Sequence, residues 1–198
     1  MTSNNTQIIF KHIPEDMPVL GKHIELVTKE FDANSVILNQ NDVLLRNLYM
    51  SVDPYMRGRM RPAGTKSYIP AFTLGEVMQA EGVSEVIKSK NSEYKEGDIV
   101  TGMIGWENCT IIPGGKDLRK IEDARKSPIP LSYYLGVLGT PGMTAYSGLF
   151  KIGEPKEGET IFISAASGAV GQVVGQIAKV KGLRVVGTAG DDSKVDAV

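Results

Sequence analysis

Short runs of hydrophobic residues, broken by polar turns, fill the first part of the chain and are typical of β-strands. The runs lie at 6–10, 24–28, 35–38, 42–50, 85–88, 98–103 and 107–112. Turn-forming residues follow or separate several of them, at 51–54, 93–98 and 113–115. Short strands with turns at this spacing predict an irregular β-barrel over residues 1–127.

The hydrophobic pattern changes near Pro128, after which helical spacing appears. The predicted elements are a helix at 131–138, a helix at 140–150, a strand at 160–164, a helix at 169–180 and a strand at 183–187. The last three form a strand, a helix and a strand, which is the order of a right-handed βαβ unit with parallel strands. The sequence therefore predicts an α/β protein whose second domain covers residues 128–198.

The composition indicates an ordinary globular protein of the cytoplasm. Of the 198 residues, 41% are hydrophobic and 23% are charged, and the formal net charge is −1. Lys and Arg are scattered rather than arranged in a stripe, which argues against a nucleic-acid partner. No apolar run approaches the ~20 residues of a membrane span, and the N-terminus lacks the apolar core of a signal peptide.

The residues that bind metals are sparse, and we expect no metal site. Cys109 is the only cysteine, and His12 and His23 have no cysteine or histidine partner at ligand spacing. No internal disulfide can form. A single cysteine after an apolar segment is more often a small packed side chain than a nucleophile, and we expect this of Cys109.

A turn of small residues between strand 160–164 and helix 169–180 is the strongest candidate for a binding site. Pyrophosphate binding requires backbone N–H groups to approach the ligand closely, which large side chains would obstruct. Ala166-x-Gly168-x-x-Gly171 is a variant of the dinucleotide-binding glycine pattern, with alanine in the first place. The predicted cofactor-binding residues of the turn are Ala165, Ala166, Ser167, Gly168, Ala169, Val170 and Gly171. The alternative is a close helix–strand crossing that binds no ligand.

The residues after strand 183–187 bear on the choice of dinucleotide. NAD-binding folds usually place an acidic residue there, for the ribose 2′-hydroxyl. Gly190 instead leaves room for a 2′-phosphate, and Lys194 offers it a positive charge. Asp191 and Asp192 keep the alternative open, since either could bind the ribose. Asp191 could also cap the next helix, with Lys194 on a solvated face.

Four longer strings, taken together, resemble a known family. They are NLYMSVDPYMRGRM at 47–60, YKEGDIVTGMIGWE at 94–107, PLSYYLGVLGTPGMTAYSGL at 130–149 and ETIFISAASGAVGQVVGQIAKVKG at 159–182. These strings resemble the medium-chain dehydrogenase/reductase superfamily, in its zinc-free branch of alkenal double-bond reductases and prostaglandin reductases. Where zinc-dependent relatives carry Gly-His-Glu, this chain reads Leu74-Gly75-Glu76, without histidine.

The resemblance implies a GroES-like catalytic β-barrel followed by the first part of a Rossmann doubly wound parallel sheet. It implies NADP(H) as the cofactor, with the matching lysine, Lys194, on the 2′-phosphate. The implied reaction reduces the C=C bond of an α,β-unsaturated aldehyde or ketone, with hydride added to the β-carbon and a proton to the α-carbon. Tyr55, beside Pro54, matches a tyrosine of the substrate pocket and could donate to the substrate carbonyl or protonate the product. Asp53 and Arg57 are expected to form a structural turn and ion pair.

The resemblance also implies that the Rossmann domain is incomplete, with two of its six strands. Full-length members of the family are expected to form homodimers, which is doubtful for this length of chain. Two other hypotheses remain at this point: an inactive nucleotide-binding or interaction fragment, which would show no appreciable turnover alone, and a quinone oxidoreductase of the same fold.

Overall fold

The computed structural model describes residues 3–197, which form two compact units that meet in sequence at Pro128 and Ile129. The first unit is rich in β-structure. Its elements are β1 (Ser3–Phe10), β2 (Ile24–Phe31), β3 (Val43–Met50), α1 (Pro54–Arg59), β4 (Gln79–Ser89), β5 (Ile99–Gly105), β6 (Cys109–Ile112) and β7 (Arg119–Lys120).

All strand pairs of the first unit are antiparallel. Strands β1 and β2 form a hairpin, and the other five form one sheet in the order β6-β3-β4-β5-β7. Strand β1 is also tied to that sheet, because Ile8 N donates to the Trp106 carbonyl at 2.8 Å and Met78 N donates to the Ile8 carbonyl at 2.9 Å. The result is an antiparallel β-domain, which is consistent with the irregular GroES-like β-barrel that was predicted.

Two hydrophobic clusters are found among the described residues of the first unit, and α1 contributes to one of them. Met56 lies in α1, and Met60 directly follows the last residue of this helix. They join a buried cluster that also contains Phe10, Phe72, Met78 and Ala80. The second cluster consists of Val43, Leu45, Val86, Val100, Ile104 and Ile112.

Two local predictions in the first unit were wrong, and the helix α1 was not predicted. Residues 35–38 form no strand, and lysine side chains hold this segment: Lys88 Nζ donates to the Val36 carbonyl at 2.7 Å and Lys90 Nζ to the Leu38 carbonyl at 2.6 Å. Its apolar character reflects the burial of Leu38. Strand β4 begins six residues earlier than the predicted strand at 85–88. The turn predicted at 51–54 leads directly into α1, because Pro54 occupies the first helical turn.

The second unit contains the predicted βαβ arrangement. Its regular elements are α2 (Thr140–Tyr146), β8 (Thr160–Ile163), α3 (Ala169–Val180) and β9 (Arg184–Gly187). Strands β8 and β9 are parallel, with Thr160 opposite Arg184 and Ile163 opposite Gly187. Helix α3 packs on them through Val174, Ile177 and Ala178. This is the beginning of a Rossmann fold, and the predicted α/β class is confirmed.

The helices before β8 differ in type from the prediction. Leu131–Leu135 is a 3₁₀-helix, and α2 continues as a π-helical segment over Ser147–Gly153. A further 3₁₀-helix covers Asp192–Ala197. Among residues 3–197, no helix is long and apolar enough to cross a membrane.

Candidate functional site

The turn between β8 and α3 is held at the end of β9 by backbone hydrogen bonds. Ala166 N donates to the Thr188 carbonyl at 2.8 Å, and Thr188 N donates to the Ile163 carbonyl at 3.0 Å. Gly168, in extended conformation, is the residue before α3, and no side chain caps this helix. The first N–H groups of α3 and its positive dipole end are therefore available to an anion.

Gly171 lies where α3 approaches the backbone of the turn most closely. A Cβ atom on Gly171 would lie 2.5 Å from the Ala165 carbonyl oxygen and 2.8 Å from the Ala166 Cα atom. Both are backbone atoms, which cannot rotate away. Gly175, one helical turn later, would place a Cβ atom 3.7 Å from Ile163 Cδ1, an ordinary contact. Of these two glycines of α3, the close approach requires only Gly171.

The residue of the turn with left-handed backbone is Ala165, not a glycine. Its φ is +50°, a conformation that places the Cβ atom of an L-residue close to its own carbonyl oxygen. The glycine pattern in the sequence gave no indication of this, because the pattern begins at Ala166.

We expect the substitution Ala165→Gly to raise the free energy of unfolding by about 1 kcal/mol, since glycine adopts this φ without steric cost. The measurement is urea unfolding followed by circular dichroism. The control is Ala166→Gly at the neighbouring alanine, which is 2% exposed and has no positive φ, so that this change should destabilise the protein. A lower stability of the Ala165→Gly variant would contradict the assignment of strain.

A crevice of about 410 Å³ opens beside the turn, between α3 and β9. Of the predicted residues, Ala166 and Gly171 line it, whereas the rest of the turn, Gly190 and Lys194 do not. The sequence analysis missed several lining residues: Gln172, Gln176, Lys179, Thr188 and Ala189. The polar residues of α3 at positions 172, 176 and 179 are one helical turn apart, which is a spacing that could have indicated a shared face.

The segment after β9 leaves space at Gly190 and uses Asp191 in a turn. A Cβ atom on Gly190 would meet no atom within 4 Å. Asp191 Oδ1 accepts hydrogen bonds from the Ser193 side chain and, at 2.9 Å, from Ser193 N, and these bonds lower the pKa of Asp191. Asp191 therefore caps the helix that begins at Asp192, as one alternative predicted. The Lys194 side chain is exposed.

In the first unit, Tyr55 lies in α1 with its hydroxyl buried. Pro54, which is exposed, begins the helix and fixes its direction. Among the described residues the Tyr55 hydroxyl has no hydrogen-bond partner. Burial raises the pKa of Tyr55, and the Asp53 carboxylate acts in the same direction, whereas the Arg59 charge and the Glu81 backbone oppose it more weakly. The hydroxyl is therefore protonated at neutral pH, a hydrogen-bond donor without an acceptor.

The ion pair expected between Asp53 and Arg57 does not form. Arg57 instead donates to three backbone carbonyls, of Pro14 at 3.1 Å, Glu15 at 3.0 Å and Asp16 at 2.8 Å. The Oδ2 atom of Asp53 is buried, and the described part of the chain provides no donor for it. Arg57 thus holds the loop before β2 against α1, a structural role that charge alone did not reveal.

A second buried donor, Trp106 Nε1, was missed by the sequence analysis. Among residues 3–197 it also has no hydrogen-bond partner, and its ring packs against the same hydrophobic cluster as Tyr55. Trp106 is the only tryptophan of the sequence and follows the apolar strand β5. Its position next to this strand suggested packing rather than chemistry. Only the tertiary structure shows that its N–H group lacks an acceptor.

Cys109 and His23 take structural positions. Cys109 is half-buried, and burial, together with the Glu107 charge, raises the pKa of its thiol. The thiol is therefore not activated as a nucleophile. His23 Nδ1 accepts a hydrogen bond from Val19 N at 2.9 Å. Within the part of the chain that the structure describes, no group of three or more His, Cys, Asp or Glu residues could hold a metal ion.

An antiparallel β-domain followed by a βαβ unit with a glycine-rich turn is the domain order of the medium-chain dehydrogenase/reductase superfamily. A family described as the N-terminal domain of oxidoreductase matches residues 6–121. The chain belongs to this family, within the zinc-free branch that contains alkenal and prostaglandin reductases.

Individual relatives match nearly the whole chain. The chain is 45% identical to the NADP(+)-dependent 2-alkenal reductase of Nicotiana tabacum over 199 residues, which cover 98% of this chain and 54% of that protein. It is 43% identical to prostaglandin reductase 1 of Rattus norvegicus, with 98% and 54% covered. The crystal structure of CurA in complex with NADPH from Vibrio vulnificus has a TM-score of 0.83 at 40% identity, covering 96% of this chain and 53% of that one. The chain thus spans about half the length of these relatives.

Proposed function

We propose that this chain is part of an NADPH-dependent reductase that reduces the C=C bond of α,β-unsaturated aldehydes and ketones. Residues 1–127 serve as the catalytic domain in this proposal, and residues 128–198 as the beginning of the cofactor domain. The observation that carries the proposed chemistry is the buried, protonated and unpartnered hydroxyl of Tyr55. The reaction class is supported by the activities after which the tobacco and rat relatives are named, 2-alkenal reductase and prostaglandin reductase.

The second unit offers an anion-binding turn that suits the pyrophosphate of NADPH. Helix α3 begins without a side-chain cap, and Gly171 allows the turn to lie against it. In this proposal the cofactor-binding residues are Ala165, Ala166, Ser167, Gly168, Ala169, Val170 and Gly171, with Gly190 and Lys194 at the 2′-phosphate. The open space at Gly190 and the occupied carboxylate of Asp191 favour a phosphate over a ribose hydroxyl.

When bound, NADPH supplies the hydride that is added to the β-carbon. Electrons of the C=C bond then shift toward the carbonyl, whose oxygen gains negative charge. The Tyr55 hydroxyl donates a hydrogen bond to that oxygen or gives its proton to the α-carbon. Its raised pKa keeps the hydroxyl protonated for either role. Pro54 sets the start of α1 and so the direction in which Tyr55 is presented.

The coenzyme part of the proposal is tested by calorimetric titration of the chain with NADPH and with NADH. We expect Lys194→Ala to weaken NADPH binding about tenfold, because the charge that faces the 2′-phosphate is lost, and to leave NADH binding nearly unchanged. Gly190→Asp should weaken NADPH binding at least as much, because its carboxylate repels the phosphate, and should not affect folding, since no atom lies within 4 Å. Equal effects on both coenzymes would contradict these roles.

The reaction itself is tested with the protein that contains this sequence, by product analysis after incubation with NADPH and a conjugated aldehyde. We expect the saturated aldehyde, and we expect Tyr55→Phe to lower the rate about a hundredfold through loss of its donor. Formation of the allylic alcohol would contradict the proposal. Turnover of quinones, but not of enals or enones, would favour the quinone oxidoreductase hypothesis instead.

A further inference from the structure

The indole of Trp106 presents an N–H group that the protein itself does not use. An indole nitrogen can only donate, and buried Trp residues usually find an acceptor for it. Nε1 of Trp106 is buried and, in residues 3–197, no acceptor lies within hydrogen-bond distance. An acceptor supplied by a ligand would satisfy this group.

Hydrogen bonds fix the backbone around Trp106 and so restrict the position of its indole ring. Trp106 N donates to the Met78 carbonyl at 2.7 Å, and the Trp106 carbonyl accepts from Ile8 N at 2.8 Å. On either side, Asn47 Nδ2 donates to the carbonyls of Gly105 at 3.1 Å and Glu107 at 2.8 Å. Four hydrogen bonds from three elements thus hold this short segment.

One free acceptor on β1 does not serve the indole. Gln7 Oε1 and Trp106 Nε1 are both buried without a partner, so they are not bonded to each other. Gln7 Nε2 instead donates to Glu107 Oε2 at 2.6 Å. Ile8, and not Gln7, packs with Trp106 against the cluster that contains Phe10 and Met78.

Tyr55 packs against this same cluster. Its hydroxyl is another buried donor that has no partner among the described residues. Resting on the proposed function, we propose that the Trp106 N–H group is a second hydrogen-bond donor to the carbonyl oxygen of the substrate, which also accepts from the Tyr55 hydroxyl. A carbonyl oxygen has two lone pairs and accepts two donors. Stabilisation of the enolate oxygen without a metal requires such preorganised donors.

The two donors differ in chemistry. The indole nitrogen does not release its proton in the accessible pH range, so Trp106 holds the oxygen throughout the reaction. The phenol of Tyr55 can lose its proton and remains available to protonate the α-carbon. The substrate class follows from the pair: a conjugated double bond must carry a carbonyl oxygen, and an alkene without one gains no hydrogen bond here.

The test uses the indole N–H signal of Trp106, the only tryptophan among these 198 residues, in ¹⁵N-labelled protein. With NADP⁺ present to prevent turnover, benzalacetone is the probe, and β-methylstyrene is the control that keeps the ring and double bond but lacks the oxygen. We expect benzalacetone, and not β-methylstyrene, to move the indole proton downfield. The variant Trp106→Phe should bind benzalacetone about tenfold more weakly and β-methylstyrene equally well.

The outcomes separate this inference from the proposed function. Binding of benzalacetone without movement of the indole signal overturns the role of Trp106 and leaves the reductase proposal intact. The same shift with β-methylstyrene, or with NADP⁺ alone, also overturns it. Failure of the wild-type protein to bind or reduce any enone contradicts the reductase proposal itself. The shift in the wild-type protein decides the matter even where Trp106→Phe does not fold.

Discussion

The substitution Gly171→Ala is expected to destabilise the second unit by about 3 kcal/mol and to abolish NADPH binding. The added Cβ atom would lie 2.5 Å from the Ala165 carbonyl oxygen and 2.8 Å from the Ala166 Cα atom. Relief requires α3 to move away from the turn, because overpacking against backbone cannot be absorbed by a rotamer change. The measurement is urea unfolding followed by far-ultraviolet circular dichroism, with NADPH titration of the folded protein.

Gly175→Ala is the matched control for this change, because it alters the same helix in the same way. Its Cβ atom would lie 3.7 Å from Ile163 Cδ1 and 3.9 Å from Val185 Cγ1, both ordinary contacts. Alanine is favoured over glycine in a helix by about 1 kcal/mol, so we expect a small gain in stability. Similar losses in the two variants would show that general helix disturbance, and not the close approach at Gly171, explains the effect.

The substitution Asn47→Ala is expected to lower the free energy of unfolding of the first unit by about 3 kcal/mol. Asn47 Nδ2 donates to the carbonyls of Gly105 and Glu107 and, at 2.9 Å, to Thr110 Oγ1, while its Oδ1 accepts from Ser84 Oγ at 2.8 Å. Removal of the amide leaves these groups without their partner, and unsatisfied buried groups cost about 1–3 kcal/mol each. Water entering the space would recover part of that loss.

Fluorescence of the single tryptophan measures this effect directly, since Asn47 holds the carbonyls on both sides of Trp106. We expect a lower urea midpoint and a red-shifted emission of the folded variant. Asn4→Ala, at an exposed asparagine of β1, is the control and should change neither property. An Asn47→Ala variant as stable as the Asn4→Ala variant would show that the amide network contributes nothing to the fold.

Local pattern predicted much of the fold because the strongest signals were local. The βαβ unit was predicted almost to the residue, since strand, turn and helix each carry their own signal over 160–187. The segment 35–38 was wrongly assigned to a strand, because a buried Leu38 gives the same apolar signal whether its backbone pairs or is held by Lys88 and Lys90. Strand β4 was predicted too short, because its first half, with Glu81, Gly82 and Ser84, lacks the apolar run of a strand.

The candidate sites likewise contain features that local sequence predicted and features that it did not. The glycine turn could be recognised in the sequence, because the close approach of helix and turn backbone restricts several nearby positions to small residues. The left-handed conformation of Ala165 could not be predicted, since alanine rarely adopts it and no sequence pattern indicates it. Arg57 was expected to pair with a carboxylate, but its partners are carbonyls of residues more than forty positions away.

The sequence by itself determined the order of the elements in the βαβ unit, the small-residue turn at 165–171 and the resemblance to zinc-free reductases, because each depends on residues close together in the chain. Only the tertiary structure decided which polar atoms have partners. Burial and hydrogen bonding of Tyr55 and Trp106 depend on strands and loops far apart in sequence, brought together by the antiparallel sheet. A donor that is buried without an acceptor is a property of the packed molecule, and no local pattern encodes it.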